Sequence, residues 1–225
     1  MKIEAVPRTS GGPRLRLTRR RVLEAAVDLA DRDGIEALSM RRLGQELGIE
    51  AMSLYTHVRS KDDLLAGMVD VVIGQITNRR LQGGWKASLR RTVLAARRVM
   101  LRHPWAPAII ETLDDPGPAG LRHFDTVIGI MREGGLSLEL THHALHVMGS
   151  RILGFTQDLF DDSSDVDPKV AALLAQQIGA THPHVAELAM AITHEGGLGG
   201  CDTDAEFEFA LEVILDSLER LRKAA

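Results

Sequence analysis

Apolar residues recur along most of this chain at three- and four-residue intervals, a spacing that predicts an all-α fold. The first helix opens at Thr18, whose hydroxyl suits an N-cap, and carries Leu23, Ala26, Val27 and Ala30 as an inward stripe ending near Gly34. Ser39 caps a second helix with Leu43 and Leu47 on one face, and Gly48 stands where a helix ends in the left-handed conformation. After Ile49 in the turn, a third helix is predicted over Ala51 to Val58. Ala51, Leu54 and Val58 face inward, leaving Met52, Ser53 and Thr56 outward. Ser60, with Asp63 three residues on as a variant of the capping box, starts a long connecting helix whose stripe is Leu64, Leu65, Met68, Val72 and Ile76, running to about Asn78.

Beyond Gly83 and Gly84 the pattern predicts helices over Trp85 to His103, stopped by Pro104, and over Gly120 to Glu133, closed by Gly134 and Gly135. A loop rich in Asp, Pro and Gly is expected between them at Leu113 to Pro118. Two later stretches differ from an ordinary amphipathic helix. In Ser137 to Leu159, Leu145, Met148, Ile152, Phe155 and Leu159 alternate at three and four; in Thr203 to Arg222, Phe207, Leu211, Ile214, Leu218 and Leu221 do the same. Such heptad seams favour near-parallel helix packing, either against a second copy of the chain or inside one chain.

The second and third helices form a helix-turn-helix, and their polar residues suit DNA. A short helix with a small, uncharged outer face fits the major groove. Arg41, one helix earlier, reaches either a guanine edge or a phosphate, and spacing does not decide between them. Tyr55, His57 and Lys61 suit phosphate oxygens, Lys61 especially because it lies at a helix start. Arg19, Arg20 and Arg21 sit unfavourably at the positive end of the first helix dipole, a sign that either solvent or an anionic partner reverses.

The net charge is −4, which by itself argues against nucleic acid, but it is unevenly divided. Residues 1 to 61 hold 12 of the 27 Lys and Arg and only 8 of the 31 Asp and Glu, so the basic end is the end carrying the helix-turn-helix. Residues 1–17 are too polar and broken to fold alone and read as a disordered basic arm, free or in a minor groove. Cys201 is the only cysteine, which excludes an intrachain disulfide. With no apolar run of membrane length and no signal-peptide pattern, a cytoplasmic protein with no membrane partner is expected. His142 and His146 lie one turn apart, but no matching carboxylate completes a set, and the acidic loop Asp158 to Asp167 lacks calcium-loop spacing. Neither a metal nor a cofactor is expected.

From Thr18 through DRDGIEALSMRRLGQELGIEAMSLYTHVRSKDDLL the chain closely resembles the DNA-binding domain of TetR-type transcriptional regulators. The similarity rests on the run Gly34 to Leu43 and on Leu54 to Val58. A weaker similarity at Leu101 to Ile110 and Phe207 to Glu219 resembles the C-terminal domain of the tetracycline-repressor branch. The resemblance implies a ligand-responsive repressor that binds a palindromic operator on double-stranded DNA as a homodimer. Domains are expected at 18–64 for the three-helix DNA-binding part and 65–225 for effector binding and dimerisation.

Position by position, the resemblance carries DNA contact to Ser39, Arg41, Ala51, Met52, Ser53, Tyr55, Thr56, His57 and Lys61. Thr56 departs from the larger side chain usual there, and Gly44 from the usual Ala, at a cost of ~1 kcal/mol in helix propensity. With a dimeric reader in view, the heptad residues are assigned to the subunit interface. An effector pocket is expected between Trp85 and about Ile192, with Trp105, Phe124, Met131, His142, His143, His146 and Met148 as candidate lining. The alternatives are a DNA binder without effector and an enzyme with a histidine-based site. No nucleophile–base set, phosphate loop or metal quartet accompanies the latter, so no enzymatic activity is expected.

Overall fold

The computed structural model describes residues 16–76, 83–154, 179–184, 186–187 and 203–224, and among these every regular element is helical. In chain order they are α1 (Arg19–Asp33), a 3-10 turn (Ile35–Ala37), α2 (Met40–Leu47), α3 (Ala51–Leu54), α4 (Lys61–Ile73), α5 (Gly84–Arg102), α6 (Ala106–Ile110), α7 (Gly117–Glu133), α8 (Leu138–Gly154) and α9 (Thr203–Ala224). Phe155, Leu159, Cys201, the 158–167 loop, Asn78 and the arm up to residue 15 lie outside the described residues, as does the side chain of Ile152.

The chain divides into two compact units. Of the described residues, one unit holds those up to Gln75 together with Arg102–Leu121, and the other those within Ile76–Leu101 and from Arg122 onward. The unit built around the first helices therefore continues past residue 64 through α4 and takes in α6.

In the first unit α1 buries Val22, Leu23, Ala26, Val27, Leu29 and Ala30, and α4 brings Leu64, Met68, Val69 and Val72 to the same core. Leu38, Leu43, Leu54 and Val58 close it from the helix-turn-helix side. Each buried leucine removes enough apolar surface to contribute roughly 1.5–3 kcal/mol. The caps lie where the sequence places them. Thr18 accepts from the Arg21 amide, Ser39 from Arg42 and Ser60 from Asp63.

Three boundaries differ from expectation, each for a physical reason. The third helix is α-helical only through Leu54; its last turn tightens to 3-10-type bonds, Tyr55 N–H to Met52 and His57 N–H to Leu54. The connecting helix ends at Ile73, capped through the Gly74 N–H to Asp70, while Ile76 stays buried beyond it. And α7 starts at Gly117, inside the expected loop. Asp115 accepts the Gly117 amide, and Asp70, reaching across from α4, accepts that of Ala119. A cap supplied from 49 residues away leaves no local signal.

In the second unit α5, α7, α8 and α9 share a core of Leu89, Val93, Val127, Ile130, Met131, Leu136, Met148, Phe207, Leu211, Leu215 and Leu218. Charges run down one side of the α5–α9 contact. Lys86 pairs with Asp216, Arg90 with Glu212 and Glu208 at 2.6 Å each, and Arg97 with Asp204 at 2.7 Å while its guanidinium lies 4.4 Å over the Phe207 ring.

This core takes up four of the residues assigned to the subunit seam. Met148, Phe207, Leu211 and Leu218 are buried within their own chain, and Leu145 and Ile214 pack partly against the same cluster. A helix lining a four-helix core needs three-four spacing in any case, so periodicity alone does not distinguish a partner from the helix's own neighbours. Of the seam residues, Leu221 stays outside, 54% exposed. Exposed apolar side chains sit instead at Phe209 and Val213 on α9 and at Leu138 and Val147 on α8.

Candidate nucleic-acid interface

The helix-turn-helix is assembled by backbone geometry first. Gly48 ends α2 at φ 66° and ψ 34°, the left-handed region that glycine enters without a Cβ penalty. The Ile49 amide then donates to the Gly44 carbonyl at 2.9 Å, folding the turn back on α2. Leu54 and Val58 are buried on either side of the last turn, and that anchors the segment with its other face outward. Met52 is 73% exposed and Tyr55 46%, with Ser53 and Thr56 also exposed; Ala51 and His57 are half-buried. The Thr56 hydroxyl donates to the Ser53 carbonyl at 2.7 Å, which holds its methyl and oxygen in one orientation.

The loop after α3 is clamped from beneath. Arg19 donates to both carboxylate oxygens of Asp63 at 2.9 Å and to the His57 carbonyl at 2.8 Å, and Asp63 also accepts the Arg59 amide. The Arg19 guanidinium first, and the Arg59 amide next, hold the Asp63 carboxyl well below the usual carboxylate range. Asp63 thus does not return to the Ser60 amide as a regular capping box would; its oxygens are taken by Arg59 and Arg19.

Cations divide into two groups. Arg19 is spent on Asp63, Arg20 on Glu24, Arg32 on Glu46 and Arg42 on Asp33. Arg21 donates to the Arg16 carbonyl. The awkward charges at the start of α1 are therefore largely answered within the chain. Arg41 and Lys61, both exposed, make no ion pair or hydrogen bond among the described residues. Lys61 is the first residue of α4, beside the positive end of its dipole. Ser39 is exposed but its oxygen already caps α2.

The expected effector residues fall into separate places among the described residues. Trp105 belongs to the first unit, its indole N–H donating to Asp31 at 2.6 Å beside His103, whose Nδ1 lies 2.9 Å from the same carboxylate. Phe124 is 47% exposed, and His142, His143 and His146 lie on the outer face of α8, the His142 and His146 rings 4.6 Å apart. Met131 and Met148 are core. The α8 histidines are exposed, a placement that sequence alone does not distinguish from a pocket wall. Two groups that sequence reasoning passed over are buried in the second unit without a hydrogen bond among the described residues, His123 Nδ1 and Thr141 Oγ1. Burial pushes the His123 imidazole below its ordinary value and so favours the neutral ring. Among the described residues no helix is long and apolar enough to cross a membrane.

Comparison with known proteins agrees with this geometry along both units. Residues 22–68 match the family described as "Bacterial regulatory proteins, tetR family" and residues 79–222 that described as "Tetracyclin repressor-like, C-terminal domain". The "HTH-type transcriptional repressor DrrR1" of Streptomyces coeruleorubidus is 39% identical over 132 residues, covering 58% of this chain and 49% of that protein. The chain thus spans about half the length of this curated relative. The crystal structure of apo ActR from Streptomyces coelicolor superposes with a TM-score of 0.73 at 27% identity, covering 96% of this chain and 100% of that one. ActR in complex with actinorhodin gives 0.70 at 28%, covering 92% and 99%. Matched through its helix-turn-helix and through its later helices alike, this chain belongs to the TetR family.

Proposed function

We propose that the protein is a transcriptional repressor that binds a palindromic operator as a homodimer and is released by a small molecule. The observation that carries the reading is the outward face of α3, whose exposed Met52, Ser53, Tyr55 and Thr56 stand beside two cations, Arg41 and Lys61, that are unpaired among the described residues, on a scaffold that pairs Arg19, Arg20, Arg32 and Arg42 with carboxylates. Short and uncharged side chains admit the backbone to a major groove, and the flanking cations supply the phosphate attraction that a chain of net charge −4 otherwise lacks. In this reading Ser39, Arg41, Ala51, Met52, Ser53, Tyr55, Thr56, His57 and Lys61 meet DNA.

Dimerisation falls to the exposed apolar residues of α8 and α9: Leu138, Val147, Phe209, Val213 and Leu221. Two such subunits under twofold symmetry set recognition segments one helical turn of DNA apart, about 34 Å. The effector is assigned to the unit containing α5, α7, α8 and α9, and a relative solved with actinorhodin supports a ligand-responsive design. A ligand shifts such an equilibrium by binding the released state a few kcal/mol more tightly.

The test is selection of a half-site from random duplex DNA by the full chain, followed by a screen of small molecules for release, with actinorhodin and a tetracycline among the first probes. A recovered palindrome and a releasing compound are expected. Retention of no duplex at low ionic strength overturns the reading. On the selected duplex, Lys61→Ala is expected to weaken specific and random binding equally and to lower the salt slope by about 1.

A further inference from the structure

Gly44 lies on the buried side of α2, and its position raises a question that helix propensity does not answer. A Cβ placed there would stand 2.9 Å from the Ile49 carbonyl oxygen, 3.1 Å from the Ala51 nitrogen and 3.3 Å from the Ala51 Cα. All three are backbone atoms, two of them in the first residue of α3, so no side-chain rotation relieves the contact. The same residue's carbonyl accepts the Ile49 amide at 2.9 Å, and so pulls the turn inward where the missing methyl leaves room. Its backbone is not in the left-handed region, so conformational freedom does not explain a glycine here.

We infer that Gly44 is a specificity-determining positioning residue: it seats α3 against α2 and thereby sets where Met52, Ser53 and Thr56 meet the base edges, without itself touching DNA. The inference rests on the DNA-binding reading above. Adding a methyl forces α3 outward by about a few tenths of an ångström, because the obstructing atoms are main chain. That displacement is comparable with the whole tolerance of a hydrogen bond, about 2.7–3.2 Å between heavy atoms, so it changes base readout. Phosphate attraction is much less sensitive, since it falls off slowly with distance.

The experiment compares wild type and Gly44→Ala, both as full chains, on the duplex selected by wild type and on a random duplex of equal length. The expected result is a loss of about tenfold on the selected duplex, the size of one spoiled base contact. Affinity for the random duplex and the salt slope should stay unchanged, and the variant should remain folded with a melting temperature near that of wild type, since the better helix propensity of alanine and the cost of the close backbone contact act in opposite directions. A repeated selection with the variant should return an altered half-site. The inference is overturned if the variant selects the same half-site with an unchanged ratio of specific to random affinity, or if both affinities fall together. It is equally overturned if the variant does not fold, because the turn must then break rather than yield. A wild-type chain that selects no half-site sinks the DNA-binding reading itself, a result distinct from any of these.

Discussion

The α5–α9 contact and the α3 face treat polar residues in opposite ways. Along α5, Lys86, Arg90 and Arg97 each find a carboxylate on α9, and the apolar residues beside them enter a common core. On the recognition segment a methionine and a tyrosine stand in solvent, and the nearby Arg41 and Lys61 find no partner among the described residues. The first region is explained by the fold. The second is not, and a surface that the fold leaves unexplained marks a partner. The same distinction separates the two apolar edges of α9, where Phe207 and Leu211 belong to the core while Phe209 and Val213 face out.

That division is most sharply broken or upheld at α9. Phe207→Ala is expected to cost about 3–5 kcal/mol in urea unfolding, as for any large buried aromatic. Phe209→Ala, two residues away, should leave the stability of the isolated subunit within about 0.5 kcal/mol while weakening the dimer seen by sedimentation. Equal losses at both would erase the contrast.

A smaller effect is expected at the clamp beneath the recognition segment. Asp63→Asn should lower stability by about 1–2 kcal/mol, since it removes the charge that two arginines and an amide share, and Arg19 remains half exposed to water. Because the folded carboxyl titrates below its unfolded value of about 3.9, its stabilisation is complete above that pH and is lost as pH falls through the folded value. The acid limb of wild-type stability should therefore flatten in the variant; an unchanged limb would place the acid sensitivity elsewhere.

The smallest change is expected at the α5–α9 surface ladder, where Lys86→Met should alter stability by less than about 1 kcal/mol because its partners are solvated. At the end of α9, Arg222 and then Lys223 draw the Glu219 carboxyl down to about 2, another exposed pairing that shapes charge more than stability.

The helix-turn-helix was legible because its determinants are local. A serine cap, a leucine four residues before a turn and a glycine at φ 66° are each specified within one helical turn, and Leu54 and Val58 took the buried places their spacing required. Gly44 was visible as an anomaly, but its meaning lies in the Ala51 backbone across the turn. The start of α7 was hidden for the same reason, since Asp70 caps it from another helix. Histidines at 142, 143 and 146 and the indole of Trp105 were indistinguishable as pocket, surface or latch until their neighbours were known.

By itself the sequence determined most of the helices, the Thr18, Ser39 and Ser60 caps and the helix-turn-helix, which are set by contacts within a few positions along the chain, and the basic bias of its first 61 residues, which is composition alone. Only the tertiary structure decided which side of α9 faces its own core, which arginines are already neutralised and how closely α3 sits on α2. Those outcomes depend on distances between residues far apart in sequence, and a one-dimensional periodicity carries no information about what stands opposite.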